Sequence, residues 1–133
     1  MRLKTKIAFV SLFVTCLFFL PGCSKDPLSD LYGTWKGQTK IDQTMTITLR
    51  PDSTIEIEIE GEDIRTVRRG KFQMVDRRLR TTLTTLETLT EKAVKREEKV
   101  DHDEAVLTMT SKNEMVLRKG IQAVVLDRVL TPN

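Results

Sequence analysis

The segment TIEIEIE, Thr54–Glu60, decides the fold class, because its three isoleucines alternate strictly with glutamates. This period of two is typical of a β-strand with one face in a core and the other in water. A helix would scatter the same isoleucines around its circumference. The alternation recurs in TMTITL, Thr44–Leu49, and in AVLTMT, residues 105–110. The chain is therefore predicted to be all-β.

Short polar segments separate the alternating runs and predict hairpin turns. These segments are RPDS (50–53), EGED (60–63), VDRR (75–78), VDHD (100–103) and SKNE (111–114). Connections of this length join antiparallel neighbours, because a parallel crossover needs about a dozen residues or more. We therefore predict an up-and-down antiparallel meander of about eight or nine strands.

Residues 80–98 do not follow the simple alternation, since their leucines are spaced three residues apart. That spacing indicates a helix, but the many threonines are β-branched and favour a strand. We predict a long strand with a bulge near Thr84 and Thr85, which turns Leu86 back to the inner face. The alternative is a helix over residues 87–98.

The N-terminal segment has the parts of a secretory signal peptide. Residues 1–6, MRLKTK, carry three positive charges, and residues 7–20 form an almost unbroken apolar run of 14 residues. A membrane-spanning helix needs about 20 apolar residues, so an uncleaved anchor is the less favoured alternative.

The segment LPGC, residues 20–23, resembles the lipobox of bacterial lipoproteins. The resemblance implies cleavage after residue 22, a diacylglycerol thioether on Cys23 and fatty acylation of the new amino terminus. Residues 23–30 would then be a lipidated tether. Ser24, where an Asp would signal inner-membrane retention, implies an outer-membrane anchor facing the periplasm of a Gram-negative host.

Charge and cysteine content exclude several functions. Three of the 22 basic residues belong to the signal segment, which leaves 19 against 19 acidic residues and gives no support for nucleic-acid binding. After lipidation of Cys23 the domain has no thiol for a disulfide, a metal or a nucleophile. The single histidine, His102, lies in DHDE (101–104), predicted to be a solvated turn with a weak cation site as the alternative. We expect no cofactor, no bound metal and no enzymatic activity.

Two groups of basic residues are expected on the outer surface. Arg65 and Arg68 are predicted to lie opposite the glutamates of TIEIEIE and to fix the strand register. A local basic patch is expected, which would either meet anionic lipid or peptidoglycan or protect exposed strand edges. Its members are Arg68, Arg69, Lys71, Arg77, Arg78 and Arg80.

The segment LYGTWKGQ, residues 31–38, resembles the Gly-x-Trp start of lipocalin-like families, and the order of the later motifs is similar to bacterial lipocalin-like lipoproteins. The resemblance implies a small closed barrel over residues 31–130, followed by a tail at 131–133. It also implies structural roles for Gly33 and for Trp35 at the closed end, with Arg128 over the Trp35 ring and Arg118 as second candidate. A plain core tryptophan is the alternative.

Alternation also predicts which residues point into the barrel. The expected lining is Met45, Ile47, Leu49, Ile57, Phe72, Met74, Leu107 and Met109, with Ile55, Ile59, Val67, Leu79 and Leu83 on the same face. This set is almost wholly apolar, so it fits a filled core at least as well as a ligand cup. Two functions stay open: a module that binds a small apolar ligand, or a non-enzymatic protein–protein interaction module of the envelope, such as an assembly factor or hydrolase inhibitor.

Overall fold

The computed structural model describes residues 26–131. The predicted signal peptide, the lipidation site Cys23 and the last two residues of the tail lie outside the described residues. The strands are β1 Gly33–Gln38, β2 Thr44–Leu49, β3 Thr54–Glu60, β4 Ile64–Val75, β5 Arg78–Thr90, β6 Val94–Ser111, β7 Glu114–Lys119 and β8 Gln122–Arg128.

Each strand pairs antiparallel with the next one in sequence, and β8 returns to β1, which closes an eight-stranded barrel. The predicted all-β, up-and-down architecture is confirmed, and it is compatible with a lipocalin-like barrel. The predicted turn at residues 100–103 is wrong, because these residues lie within β6, a strand of 18 residues. The chain turns instead at residues 91–93, where the Thr90 amide donates to the Ala93 carbonyl. Charged residues suit a turn and an exposed strand equally well, so composition alone did not distinguish them.

The irregularity in β5 lies at the predicted place. Arg69 pairs with Thr85 while Gly70 pairs with Leu83, so Thr84 is the extra residue. The bulge turns Leu86 to the inner face, opposite Arg68. Residues 87–98 belong to β5, a short turn and β6, which excludes the helix alternative.

One end of the barrel, here called the tether end, is closed by the segment that precedes β1. Trp35 is fully buried there, and its indole Nε1 donates to the Leu31 carbonyl at 2.9 Å. The Arg128 guanidinium, not that of Arg118, lies 4.2 Å from the ring centroid. Arg128 also donates to the carbonyl oxygens of Tyr32 (2.8 Å) and Asp30. Its Nε atom donates to the Lys112 carbonyl at 3.3 Å. A cation over an indole face, held by three backbone carbonyls, fixes the last strand onto the first.

The predicted tether is folded from Asp26 onward. The side chains of Leu28 and Leu31 pack against the core, and the Tyr32 hydroxyl donates to the Asp26 carboxylate at 2.6 Å. This bond lowers the pKa of Asp26 and raises the pKa of Tyr32. Residues 26–30 are therefore part of the barrel's closed end and not a free spacer.

The core fills the tether half of the barrel. Of the predicted lining residues, Ile47, Leu49, Phe72 and Leu107 are buried in the core cluster, and Met45, Ile57, Met74 and Met109 are partly buried against it. Val67, which was predicted on the same face, points outward instead. It is buried, but it pairs with Glu58 and Glu87 on the outer face and lies outside the core cluster.

Candidate functional site

The other end of the barrel, here called the open end, carries the turns at residues 39–43, 61–63, 91–93 and 120–121. A cavity of about 230 Å³ lies just inside it, between β2, β3 and β8. Its inner wall is apolar and formed by Met45, Ile59 and Val124. Its rim is lined by Thr39, Lys40, Ile41, Gln43, Gln122 and Ala123. The cavity thus has an apolar floor and a polar entrance.

The opposite wall of the open end is charged. Arg68 pairs directly with Ile57, so both side chains lie on the inner face of the barrel. Asp101 pairs with Leu83, which places it on the same face, and the Arg68 guanidinium donates to its carboxylate at 2.7 Å. This charge-assisted bond lowers the pKa of Asp101.

A second ion pair joins β7 to β6 on the same face, where Lys119 meets Asp103 at 2.7 Å. The Nε atom of Arg68 is buried and has no hydrogen-bond partner among the described residues. The open half of the barrel is therefore polar along β4 and β6 and apolar along β2, β3 and β8. The expectation of an almost wholly apolar interior is wrong for this half.

Sequence reasoning missed Arg68 because arginine beside a glutamate ladder looks like an outer-face partner. The register shows the difference: Arg65 bridges Glu58 at 2.8 Å, whereas Arg69, not Arg68, reaches Glu56 at 3.0 Å. The length of the turn after β3 would have revealed the inward position of Arg68. Once Ile64 is known to start β4, Arg68 falls opposite Ile57.

The predicted basic patch is largely neutralised on the outer face. Glu87 is almost fully buried and accepts from Arg96 at 2.7 Å, with Arg69 at 3.5 Å. These contacts, the Arg96 bond first, lower the pKa of Glu87. Glu104 likewise meets Arg78 at 2.8 Å and Arg80 at 3.3 Å, and the pKa of its carboxyl is lowered. Most of the positive charge of the patch is therefore neutralised, which leaves little to attract anionic lipid.

The residues of DHDE cannot converge on one ion, because they alternate between the two faces of β6. Asp101 and Asp103 point inward, whereas His102 pairs with Thr82 and approaches its hydroxyl at 3.3 Å on the outer face. No cluster of three or more His, Cys, Asp or Glu within residues 26–131 could hold a metal.

The edge of β6 is only half covered. β7 pairs with β6 between Val106 and Ser111, so residues 94–105 of β6 have a partner only on the β5 side. Val94 and Val100 on this stretch are 62% and 65% exposed. A groove of about 750 Å³ runs beside it on the outer face, lined in part by Lys71, Arg80 and His102. This uncovered stretch, residues 94–105, is here called the free edge.

Across residues 26–131 the structure contains no helix long and apolar enough to cross a membrane. Comparisons of the chain with protein-family models, with curated proteins and with solved structures found no match. The function must therefore be argued from the barrel itself.

Proposed function

We propose that this protein is a lipoprotein of the bacterial cell envelope, anchored through Cys23 and non-enzymatic, that binds a small apolar ligand at the open end of its barrel. The observation that carries the proposal is the cavity walled by Met45, Ile59 and Val124. Ligand pockets combine an apolar lining with a few polar groups that orient the guest, and Gln43 and Gln122 at the rim supply such groups.

The size of the cavity limits the ligand. Its volume of about 230 Å³ is below the roughly 300–1,000 Å³ of drug-sized pockets. The tether half of the barrel offers no extension, because its centre is filled by Trp35, Ile47, Leu126 and their neighbours. The cavity suits a short acyl chain or one small ring, and not a sterol or a long lipid.

The anchor and the cavity would lie at opposite ends. An extended residue spans at most about 3.6 Å, so the three steps from Cys23 to Asp26 cover about 11 Å. The folded segment that begins at Asp26 packs at the tether end. Acylation of Cys23 would therefore hold the tether end against the outer membrane and turn the open end towards the periplasm. Two or more acyl chains make such an anchor stable.

Ligand binding is tested with octanoate, titrated by calorimetry into the purified full-length protein. The variant Val124→Trp fills the cavity. Its neighbour Val125 is 49% exposed on the outer face, so Val125→Trp adds the same ring outside the barrel and is the matched control. Octanoate should bind the wild type and Val125→Trp but not Val124→Trp. Equal binding by the two variants, or no binding by the wild type, contradicts the proposal.

The anchor is tested separately by intact mass and membrane fractionation in a Gram-negative host. The wild type should lack residues 1–22, carry acyl groups and sediment with the outer membrane. Cys23→Ser should carry none and fail to sediment. A wild type that keeps residues 1–22 without added acyl mass contradicts the anchor and leaves the ligand proposal to its own test.

A second function, protein–protein interaction, is favoured by one observation. Along residues 94–105 the free edge of β6 has no neighbouring strand on the β7 side. Such an edge is a template for pairing with another strand.

A further inference from the structure

The tether end carries two exposed apolar side chains where the last strand leaves the barrel. β8 runs from the open end to the tether end, so the residues after Arg128 lie beside the segment that precedes β1. Val129 and Leu130 are 44% and 69% exposed there. The Val129 amide donates to the Thr34 carbonyl at 2.8 Å, which holds this part of the chain against β1. Val129 and Leu130 are here called the apolar tip.

The rest of the tether end is polar and nearly neutral. Its turns are residues 50–53, 76–77 and 112–113, and neither these turns nor residues 26–32 expose a Leu, Ile, Val, Met, Phe or Trp side chain. The same segments carry three basic against four acidic residues, namely Arg50, Arg77 and Lys112 against Asp26, Asp30, Asp52 and Asp76. Net charge therefore gives this end no attraction for anionic lipid. The apolar tip is the feature of this end that suits a bilayer.

The length of chain before the fold identifies what covers this end. The three steps from Cys23 to Asp26 span at most about 11 Å. With its acyl chains in the bilayer, Cys23 would hold the tether end within that distance of the lipid headgroups. A gap of this width is no larger than the diameter of one helix, about 10–12 Å, so no folded partner domain fits between the barrel and the membrane.

The anchor also makes a weak contact sufficient. Once Cys23 holds the protein in the bilayer, contact between the apolar tip and lipid takes place at a high effective concentration. Amphipathic surface elements bury their apolar side chains about 5–10 Å into the boundary between headgroups and acyl chains. Val129 and Leu130 would gain there the burial that the fold does not give them.

We propose that the apolar tip inserts into the phospholipid interface beside the anchor, so that the tether end docks on the bilayer and the open end points away from it. The contact is apolar and does not require anionic lipid. This inference rests on the anchor at Cys23 in the proposed function, but not on ligand binding at the open end.

Quenching by spin-labelled lipid tests the docking. The mature lipidated protein, expressed from the full-length chain, is reconstituted into phosphatidylcholine vesicles with or without a nitroxide on the acyl chain near the glycerol. A thiol-reactive fluorophore is attached at Leu130→Cys, since the wild type has no free thiol after cleavage and acylation of Cys23. Val125→Cys and Ile121→Cys are the matched controls, because they lie about 17 and 30 Å from Leu130 along β8 and are 49% and 96% exposed.

The nitroxide should reduce the emission at Leu130→Cys about two-fold or more and leave that at Val125→Cys and Ile121→Cys nearly unchanged. Adding phosphatidylglycerol to the vesicles should not alter this pattern. Adding Val129→Asp to Leu130→Cys should weaken the quenching several-fold, because a carboxylate resists transfer out of water, whereas adding Val125→Asp should not.

Equal quenching at the three sites, no quenching at Leu130→Cys, or quenching at Leu130→Cys in anionic vesicles alone overturns the docking while the anchor stands. Failure of the anchor is visible separately. A wild type that takes the fluorophore at Cys23 and lacks acyl mass overturns the anchor and the docking with it.

Discussion

The substitution Gly37→Ala should open the barrel at its shortest seam. β1 and β8 are joined by only two register pairs, Trp35 with Arg128 and Lys36 with Asp127. A Cβ added at Gly37 would lie 2.1 Å from the Val125 carbonyl oxygen. That oxygen is backbone, so the clash cannot be relieved by a rotamer change.

The expected loss of stability follows from the hydrogen bonds that join β1 to β8. To bring the 2.1 Å contact to the 3.4 Å of an ordinary one, β1 and β8 would have to move apart by about 1.3 Å. Such a shift breaks the hydrogen bonds of the seam, including Val129 N–H to the Thr34 carbonyl at 2.8 Å. With about three bonds lost at about 1 kcal/mol each, the free energy of unfolding should fall by about 3 kcal/mol. The Tm should fall by about 12–24 °C.

Urea unfolding followed by the fluorescence of Trp35, the single tryptophan and fully buried, measures this loss. Gly61→Ala is the matched control, because the nearest atom to its added Cβ is a side-chain nitrogen of Gln43 at 3.4 Å. Its stability should stay within about 0.5 kcal/mol of the wild type. If Gly37→Ala were as stable as Gly61→Ala, the described closure between β1 and β8 would be refuted.

Three further predictions concern the core, the tether end and the charged wall. Leu126→Ala, at a fully buried position, should lower the free energy of unfolding by about 2–5 kcal/mol in urea, while exposed Val125→Ala should change it by about 0.5 kcal/mol or less; similar losses would contradict the described core. Arg128→Lys should cost about 1–3 kcal/mol in the same assay, because lysine cannot keep the stacking on Trp35 together with the bond to the Tyr32 carbonyl, and Arg118→Lys should be near neutral. Because Arg68 lowers the pKa of Asp101 in the folded state, the Asp101 carboxylate contributes stability above its unfolded pKa of about 4, and this stability is lost as the pH falls through the lower folded pKa. The wild type should therefore lose more stability than Asp101→Asn on acidification from neutral pH to about pH 3, and parallel pH profiles would argue against the ion pair.

Local sequence determined the elements that depend on neighbours along the chain. The alternation in Thr54–Glu60 required a strand with one buried face, whatever surrounded it. The turn residues at 50–53, 60–63 and 111–114 joined antiparallel neighbours. Even the bulge at Thr84 followed from the leucine spacing, because only an extra residue returns Leu86 to the inner face.

Other features of the structure depend on contacts between segments that are far apart in the sequence. The inward position of Arg68 is set by the register of β4 against β3, and its partner Asp101 comes from a strand 33 residues away. The free edge of β6 exists because β7 has only 6 residues against the 18 of β6, a mismatch that appears only when the two strands are paired. The sequence by itself determined which residues alternate and most of the places where the chain turns, though not the turn at residues 91–93, since those are short-range steric and solvation preferences. The tertiary structure alone decided which charges face inward and which edge stays open, since both depend on where the closing strands meet.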